Sequence, residues 1–123
     1  MRVYVYRNKQ DFSVKALEGN HKGRVLATVE QIMLTDATAK VLQASHGIVG
    51  HVEAVYGAQL RDDLDNTTRV GLAINRPWLP FKGSPIHYDS ACREFVKTSD
   101  SSPVRAARRV KLAEGRAWAS GIK

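Results

Sequence analysis

The residues best able to do chemistry occur in short stretches, and the first of these holds histidines. His51 and Glu53 are two positions apart, so on a strand they share a face and can bind a metal together. His46 lies five positions earlier and can bend in as a third ligand. Zinc needs three or four ligands held by further contacts, which this spacing does not define. We predict polar residues on the solvent face of a strand, with no metal or other cofactor.

A second stretch is acidic. Asp62, Asp63 and Asp65 resemble the carboxylate clusters that hold magnesium in nucleases. The same DDLDN run is typical of a turn, because Asp and Asn side chains hydrogen-bond to nearby backbone. The turn is the simpler interpretation. A metal-dependent nuclease is therefore only a third hypothesis, and we predict a protein that is not an enzyme.

The single cysteine, Cys92, has His87 and Asp89 close to it in the sequence. A thiol nucleophile needs a base within hydrogen-bond reach and an oxyanion site, which proximity in sequence does not imply. A lone cysteine is more often a small buried side chain, and this is what we predict. One cysteine also excludes an internal disulfide framework, which favours a reducing cytoplasm.

A proline-containing segment places aromatic rings between cations. Residues 75–83 read NRPWLPFKG, and two prolines three positions apart exclude a regular helix or strand. Trp78 and Phe81 lie between Arg76 and Lys82, which suits a binding hot spot or a platform for stacking bases of single-stranded nucleic acid. The alternative is that Trp78 folds back into the core.

The charge is unevenly distributed along the chain. Nineteen Lys and Arg against twelve Asp and Glu give a net charge of +7. Residues 1–81 carry ten basic and eight acidic residues, whereas residues 82–123 carry nine and four. Such a field fits a nucleic acid or an acidic protein as partner, and its simpler explanation is solubility. The predicted contact cations of the final segment are Arg105, Arg108, Arg109, Lys111 and Arg116.

The hydrophobic pattern predicts a mainly β fold. Alternation over 2–8 and 12–17 indicates a hairpin with Val3 and Val5 facing the core. Tyr4 and Tyr6 lie on its other face, where they either form a stacking or subunit surface or pack under a second sheet. Residues 24–42 favour strands over a helix, with a phase slip near Gln31.

Further strands are predicted at 47–56 and 67–74, a polar loop at 61–66 and a short helix within 89–97. The end of the chain favours a closing hairpin, although residues 103–113 also suit a helix. A length of 123 residues fits one domain, 1–123, folded as a small antiparallel barrel or sandwich with at most one short helix, or as an α+β variant. No stretch is apolar enough to span a membrane.

The runs VYVYRN, FSVKALEG and KGRVLATVE, with a late GRAWA, resemble small, mostly uncharacterised β-rich proteins of bacteriophages and prophages. The resemblance covers about the first forty residues well and the last twenty loosely. It implies an accessory protein that binds and inhibits a host defence component, such as a CRISPR–Cas complex or a defence nuclease. The partner would be a host protein or ribonucleoprotein. The alternative is a general nucleic-acid-binding module of phage metabolism.

Overall fold

One antiparallel sheet of ten strands dominates the computed structural model, which describes residues 1–41, 45–73 and 81–123. The elements are β1 (Arg2–Asn8), β2 (Asp11–Ala16), β3 (Val25–Val29), β4 (Gln31–Val41), β5 (His46–Tyr56), β6 (Gln59–Leu60), α1 (Asn66–Leu72), β7 (Ser84–Asp89), β8 (Glu94–Lys97), β9 (Ala106–Ala113) and β10 (Arg116–Ile122). The predicted mainly β fold with one short helix is confirmed. The helix α1 has seven residues, and no helix in the described ranges is long and apolar enough to cross a membrane.

The strands are ordered β6-β3-β2-β1-β5-β4-β9-β10-β7-β8, so the sheet is open. It nevertheless bends, since His46 on β5 stacks on Tyr88 of β7, four places further along the sheet, with ring centroids 3.8 Å apart. Side chains from both parts form a single apolar core. The arrangement is therefore that of one sheet folded over its own core, as in a sandwich, without hydrogen-bond closure into a barrel.

The first hairpin forms as predicted, but its strands are buried on both faces. β1 pairs with β2 on one side and with β5 on the other, and Val3 and Val5 lie in the core. Tyr4 is only 3% exposed, and its hydroxyl lies 2.8 Å from Ser45 Oγ. Burial raises the pKa of Tyr4, which the Ser45 hydrogen bond partly offsets. The prediction of an exposed stacking surface is therefore wrong for Tyr4, and the alternative, in which other parts of the chain cover it, is correct.

The phase slip near Gln31 marks a crossing between two parts of the sheet. Only Glu30 separates β3 from β4, yet β3 pairs with β2 and β6 while β4 pairs with β5 and β9. Within the predicted range 24–42, residues 25–29 and 31–41 are thus strands, as predicted, and the predicted strand at 47–56 is confirmed by β5. The slip arises because the chain leaves one set of neighbours for another within a single residue.

The predicted strand at 67–74 is wrong as far as it is described, because residues 66–72 form α1. Asp65 explains the difference. Its carboxylate accepts a hydrogen bond from the Thr68 backbone N–H at 2.7 Å, which caps the first turn of the helix. Thr68 and Leu72, four residues apart, then face the core while Val70 is 65% exposed. The cap and this spacing outweigh the strand preference of the β-branched residues.

The predicted helix within 89–97 is also wrong. Residues 90–93 form a turn, in which Asp89 accepts a hydrogen bond from the Ala91 backbone N–H at 2.8 Å, and the chain returns as β8. The closing hairpin is confirmed, since β9 and β10 pair along their length. Its two turn residues, Glu114 and Gly115, have φ angles of 54° and 69°, as tight hairpin turns require.

Candidate binding surface

Two cation–aromatic pairs lie on the face of β9 and β10 that points away from the core. The guanidinium carbon of Arg109 lies 5.4 Å from the centre of the Phe81 ring, and Lys111 Nζ lies 5.5 Å from that of Trp118. Arg109 and Lys111 are two apart on β9, while the alternate residues Val110 and Leu112 enter the core. We call Phe81, Arg109, Lys111 and Trp118 the cation–aromatic face; all four are partly exposed.

Within this face, a carboxylate fixes Arg109. The Glu53 carboxylate accepts two hydrogen bonds from the Arg109 guanidinium, at 3.1 Å and 2.9 Å, and Met33 Sδ lies 3.3 Å from Arg109 Nη2. Met33 pairs with Ala54 and Leu34 with Val52, so Glu53 is the extra residue of a bulge in β5. Because Glu53 neutralises the guanidinium and holds it beside the Phe81 ring, Arg109 contributes little free charge to the surface.

Lys111 keeps its charge available. Its backbone position is directly opposite Trp118 on β10, which places the ammonium beside the indole ring. No carboxylate among the residues that the structure describes forms an ion pair with Lys111. Of the two cations on this face, Lys111 is therefore the one that an acidic partner would meet.

The remaining predicted contact cations differ in their surroundings. Arg105 has a side chain that is 83% exposed and lies 3.7 Å from Glu94 on β8. Arg108 is exposed, next to Gly121, and Arg116 is exposed beside the β9–β10 turn. Lys82 is exposed next to Phe81. The predicted residues Arg76 and Trp78 lie outside the described residues.

A second site, not predicted from the sequence, is a cleft of about 500 Å³ between the two parts of the folded sheet. Its floor consists of buried core side chains, and exposed residues surround its mouth. The floor includes Val5, Phe12, Ile48, Ile86, Phe95 and Leu112, and the exposed residues include Arg7, His46, His87 and Arg116. The one signal in the sequence is Arg7, which alternation already places on the face of Val3 and Val5.

Neighbouring groups hold two residues at the mouth of the cleft, His46 and Arg7, in place. The Tyr88 ring stacks on His46, and Phe95 meets both rings edge-on, with centroids 5.8 Å and 5.7 Å away. Burial lowers the pKa of His46, and the positive charge of Arg7 lowers it further. Arg7 Nε donates a hydrogen bond to the Lys9 carbonyl oxygen at 2.8 Å. This wall of the cleft is therefore aromatic, with a cation next to it.

The acidic stretch has structural contacts. Asp63 forms ion pairs with Arg24 and Arg61. Desolvation alone would raise the pKa of Asp63, but these two cations hold it below its usual value. Asp65 caps α1 and lies 3.2 Å from His21 Nε2. The predicted polar loop at 61–66 is thus confirmed for residues 61–65, and Asn66 begins α1. Across the described ranges, no group of three or more His, Cys, Asp or Glu is arranged to hold a metal ion.

The histidines and the cysteine also have separate surroundings. His46 stacks in the cleft, whereas Glu53 is bound by Arg109. His87 Nδ1 lies 2.9 Å from Thr98 Oγ1. Cys92 is exposed in the β7–β8 turn, so the prediction that it is buried is wrong. The reason is the turn itself, because a four-residue connection at the surface leaves no core for the thiol to enter.

The cap on α1 leads to a testable pH dependence. Hydrogen bonds from the backbone and side chain of Thr68 lower the pKa of Asp65 in the folded state. Its stabilising effect is therefore complete above the ordinary value of 3.8 and is lost as the pH falls through the folded pKa. We expect Asp65→Ala to lower the melting temperature at neutral pH. In strong acid, we expect the variant and the unmodified chain to have nearly the same melting temperature.

Thermal unfolding followed by circular dichroism at both pH values measures this effect. Asp62→Ala is the matched control, because no hydrogen bond within the described part of the chain engages the Asp62 side chain. A difference between Asp65→Ala and the unmodified chain that persists unchanged in acid would contradict the role of the ionised cap.

The fold and the candidate site define a mainly β protein whose surface combines cations with aromatic rings. Residues 1–120 match the family described as the Mycobacterium phage L5 gene 82 protein. The chain belongs to this family, and the predicted resemblance to phage proteins is confirmed over nearly the whole chain. The family description names a phage gene and no activity. No curated protein and no solved structure is significantly similar to the chain.

Proposed function

We propose that the protein acts by binding, as a non-catalytic phage accessory protein that inhibits a host defence complex in the bacterial cytoplasm. The partner is a host protein or ribonucleoprotein with an acidic surface, such as a CRISPR–Cas complex or a defence nuclease. No cofactor takes part. The observation that carries the proposal is the cation–aromatic face, where Arg109, Lys111 and Trp118 lie on the paired strands β9 and β10 and the Phe81 ring, from the segment before β7, lies against Arg109.

The geometry of this face suits a protein partner. Aromatic rings bury a large area with little loss of side-chain entropy, and they dominate many binding hot spots. The bonds between Arg109 and Glu53 order the Phe81 side of the face in advance, which lowers the entropy lost on binding. Lys111 and the exposed Lys82 then supply charge complementary to carboxylates. The net charge of +7 accelerates the encounter with an acidic surface.

The first experiment captures the partner with tagged protein from a mycobacterial lysate, the host type that the family description suggests. We expect a stoichiometric complex, and we expect Lys111→Glu to weaken it at least about tenfold, because charge reversal replaces attraction by repulsion. Lys22→Glu is the matched control, since Lys22 is exposed in the turn before β3. Equal weakening by both variants, or none by Lys111→Glu, would remove the face from the proposal.

Nucleic-acid binding is the second candidate, favoured by the partly exposed Trp118 ring beside the Lys111 ammonium. A base stacked on such a ring contributes about 1–3 kcal/mol. The test is a titration with a random single-stranded oligonucleotide at several salt concentrations. Binding that collapses between low and moderate salt, and that Trp118→Ala weakens, would favour this candidate. Absence of oligonucleotide binding, together with a stoichiometric complex from the lysate, supports the inhibitor.

A further inference from the structure

We propose that the cleft between the two parts of the sheet binds a small amphipathic anion. The ligand would have an apolar aromatic body and one acidic group, a carboxylate, phosphate or sulfonate. The body occupies the cleft, and the acidic group meets Arg7 and Arg116 at its mouth. This site goes beyond the proposed function: Phe81, Arg109 and Lys111 of the cation–aromatic face do not line the cleft, and Trp118 is the member of that face that borders it.

The size and floor of the cleft fit such a body. A volume of about 500 Å³ lies within the range of pockets that take small molecules. The floor side chains belong to the core and are nearly inaccessible, as shown by exposures of 3% for Ile48, 4% for Ile86 and 7% for Phe95. The hydrocarbon surface that a ligand would remove from water therefore belongs to the partly exposed side chains that also line the cleft, Tyr88, Ala117 and Trp118. Removal of such surface from water is the main source of affinity in pockets of this kind.

One wall favours a flat ligand. His46 and Tyr88 are stacked with an angle of 12° between their rings, and Phe95 contacts both of them edge-on. Aromatic rings attract one another in these offset and edge-on arrangements beyond the effect of area alone. The residues of this wall come from β5, β7 and β8, so the wall exists only because the sheet folds over.

The charges at the mouth select an anion. None of the residues that line the cleft is an aspartate or a glutamate, whereas Arg7 and Arg116 are exposed there. Neither guanidinium forms an ion pair with a carboxylate in the ranges that the structure covers. A neighbouring polar groove shares both arginines but includes Asp11, Glu30 and Glu114, which would repel an anion. The acidic group is therefore best placed on the cleft side of the two arginines.

Two fluorescent probes test the proposal on the full chain, anilinonaphthalene sulfonate and the same ring system without the sulfonate, phenylnaphthylamine. We expect saturable binding of the sulfonate probe at one site. The double variant Arg7→Gln/Arg116→Gln should weaken the sulfonate probe about tenfold or more and leave the neutral probe nearly unchanged. Arg108→Gln/Lys123→Gln, which removes the same charge away from the cleft, should change neither.

Filling the cleft gives a second measurement. Ala117 lines it and is partly exposed, so Ala117→Leu should weaken both probes at least fivefold while the melting temperature stays close to that of the unmodified chain. Binding of the sulfonate probe that does not saturate would overturn the proposal. An equal loss of affinity for this probe in Arg7→Gln/Arg116→Gln and in the control Arg108→Gln/Lys123→Gln would overturn it as well. Lys111→Glu should leave the neutral probe bound, because Lys111 does not line the cleft, so failure here and failure of the proposed function are distinguishable.

Discussion

Replacing Gly47 with alanine is expected to lower the free energy of unfolding by about 3 kcal/mol or more. Gly47 lies on β5, which is paired with β1 on one side and β4 on the other. A methyl group there would collide with the Val5 carbonyl oxygen and lie 2.6 Å from Cε1 of Tyr4. The backbone of a central strand and a ring that is 3% exposed have no free space to move into.

The same substitution elsewhere is the control. At Gly71 in α1, an added Cβ meets nothing within 4 Å, so Gly71→Ala should stabilise the protein by about 0.5–1 kcal/mol through the better helix propensity of alanine. Denaturant unfolding of both variants measures the two effects. A Gly47→Ala variant as stable as the unmodified chain would show that β1 and β5 are not packed as closely as the structure indicates.

Strands that local alternation defines were predictable from the sequence. The first hairpin, β3, β4, β5 and the final hairpin all follow period-two patterns or turn residues that act over a few positions. The burial of both faces of β1 was not predictable, because what covers Tyr4 depends on long-range folding. The misassigned helix α1 shows the same limit on a smaller scale. One capping carboxylate, Asp65, outweighed the strand preference of Thr67, Thr68 and Val70.

The candidate sites were predictable to different degrees. Composition identified the cations and rings, but the neutralisation of Arg109 by Glu53 joins residues 56 positions apart through a bulge, which no local pattern shows. The pairing of Lys111 with Trp118 follows once the final hairpin is known. The cleft was out of reach, because His46 and Tyr88 meet only after the sheet bends over its core.

Truncation of Leu34 to alanine is expected to destabilise the protein by about 3–4 kcal/mol, the typical cost of a cavity in a well-packed core. Leu34 is fully buried on β4, between Val52 of β5 and Val110 of β9. Its Cβ lies 3.0 Å from the position that a Cβ on Gly50 would occupy. Neighbours packed this closely on paired strands cannot collapse into the space left by the removed methyl groups.

Thermal unfolding measures the loss, and a fall in melting temperature of roughly 10 °C or more corresponds to it. Val70→Ala is the matched control, because Val70 is 65% exposed on α1 and alanine favours a helix. The Leu34 side chain lines neither the cleft nor the cation–aromatic face. Well below its melting temperature, Leu34→Ala should therefore still bind the sulfonate probe with unchanged affinity. Lost probe binding in a folded variant would mean that the shape of the cleft depends on packing at the centre of the sheet.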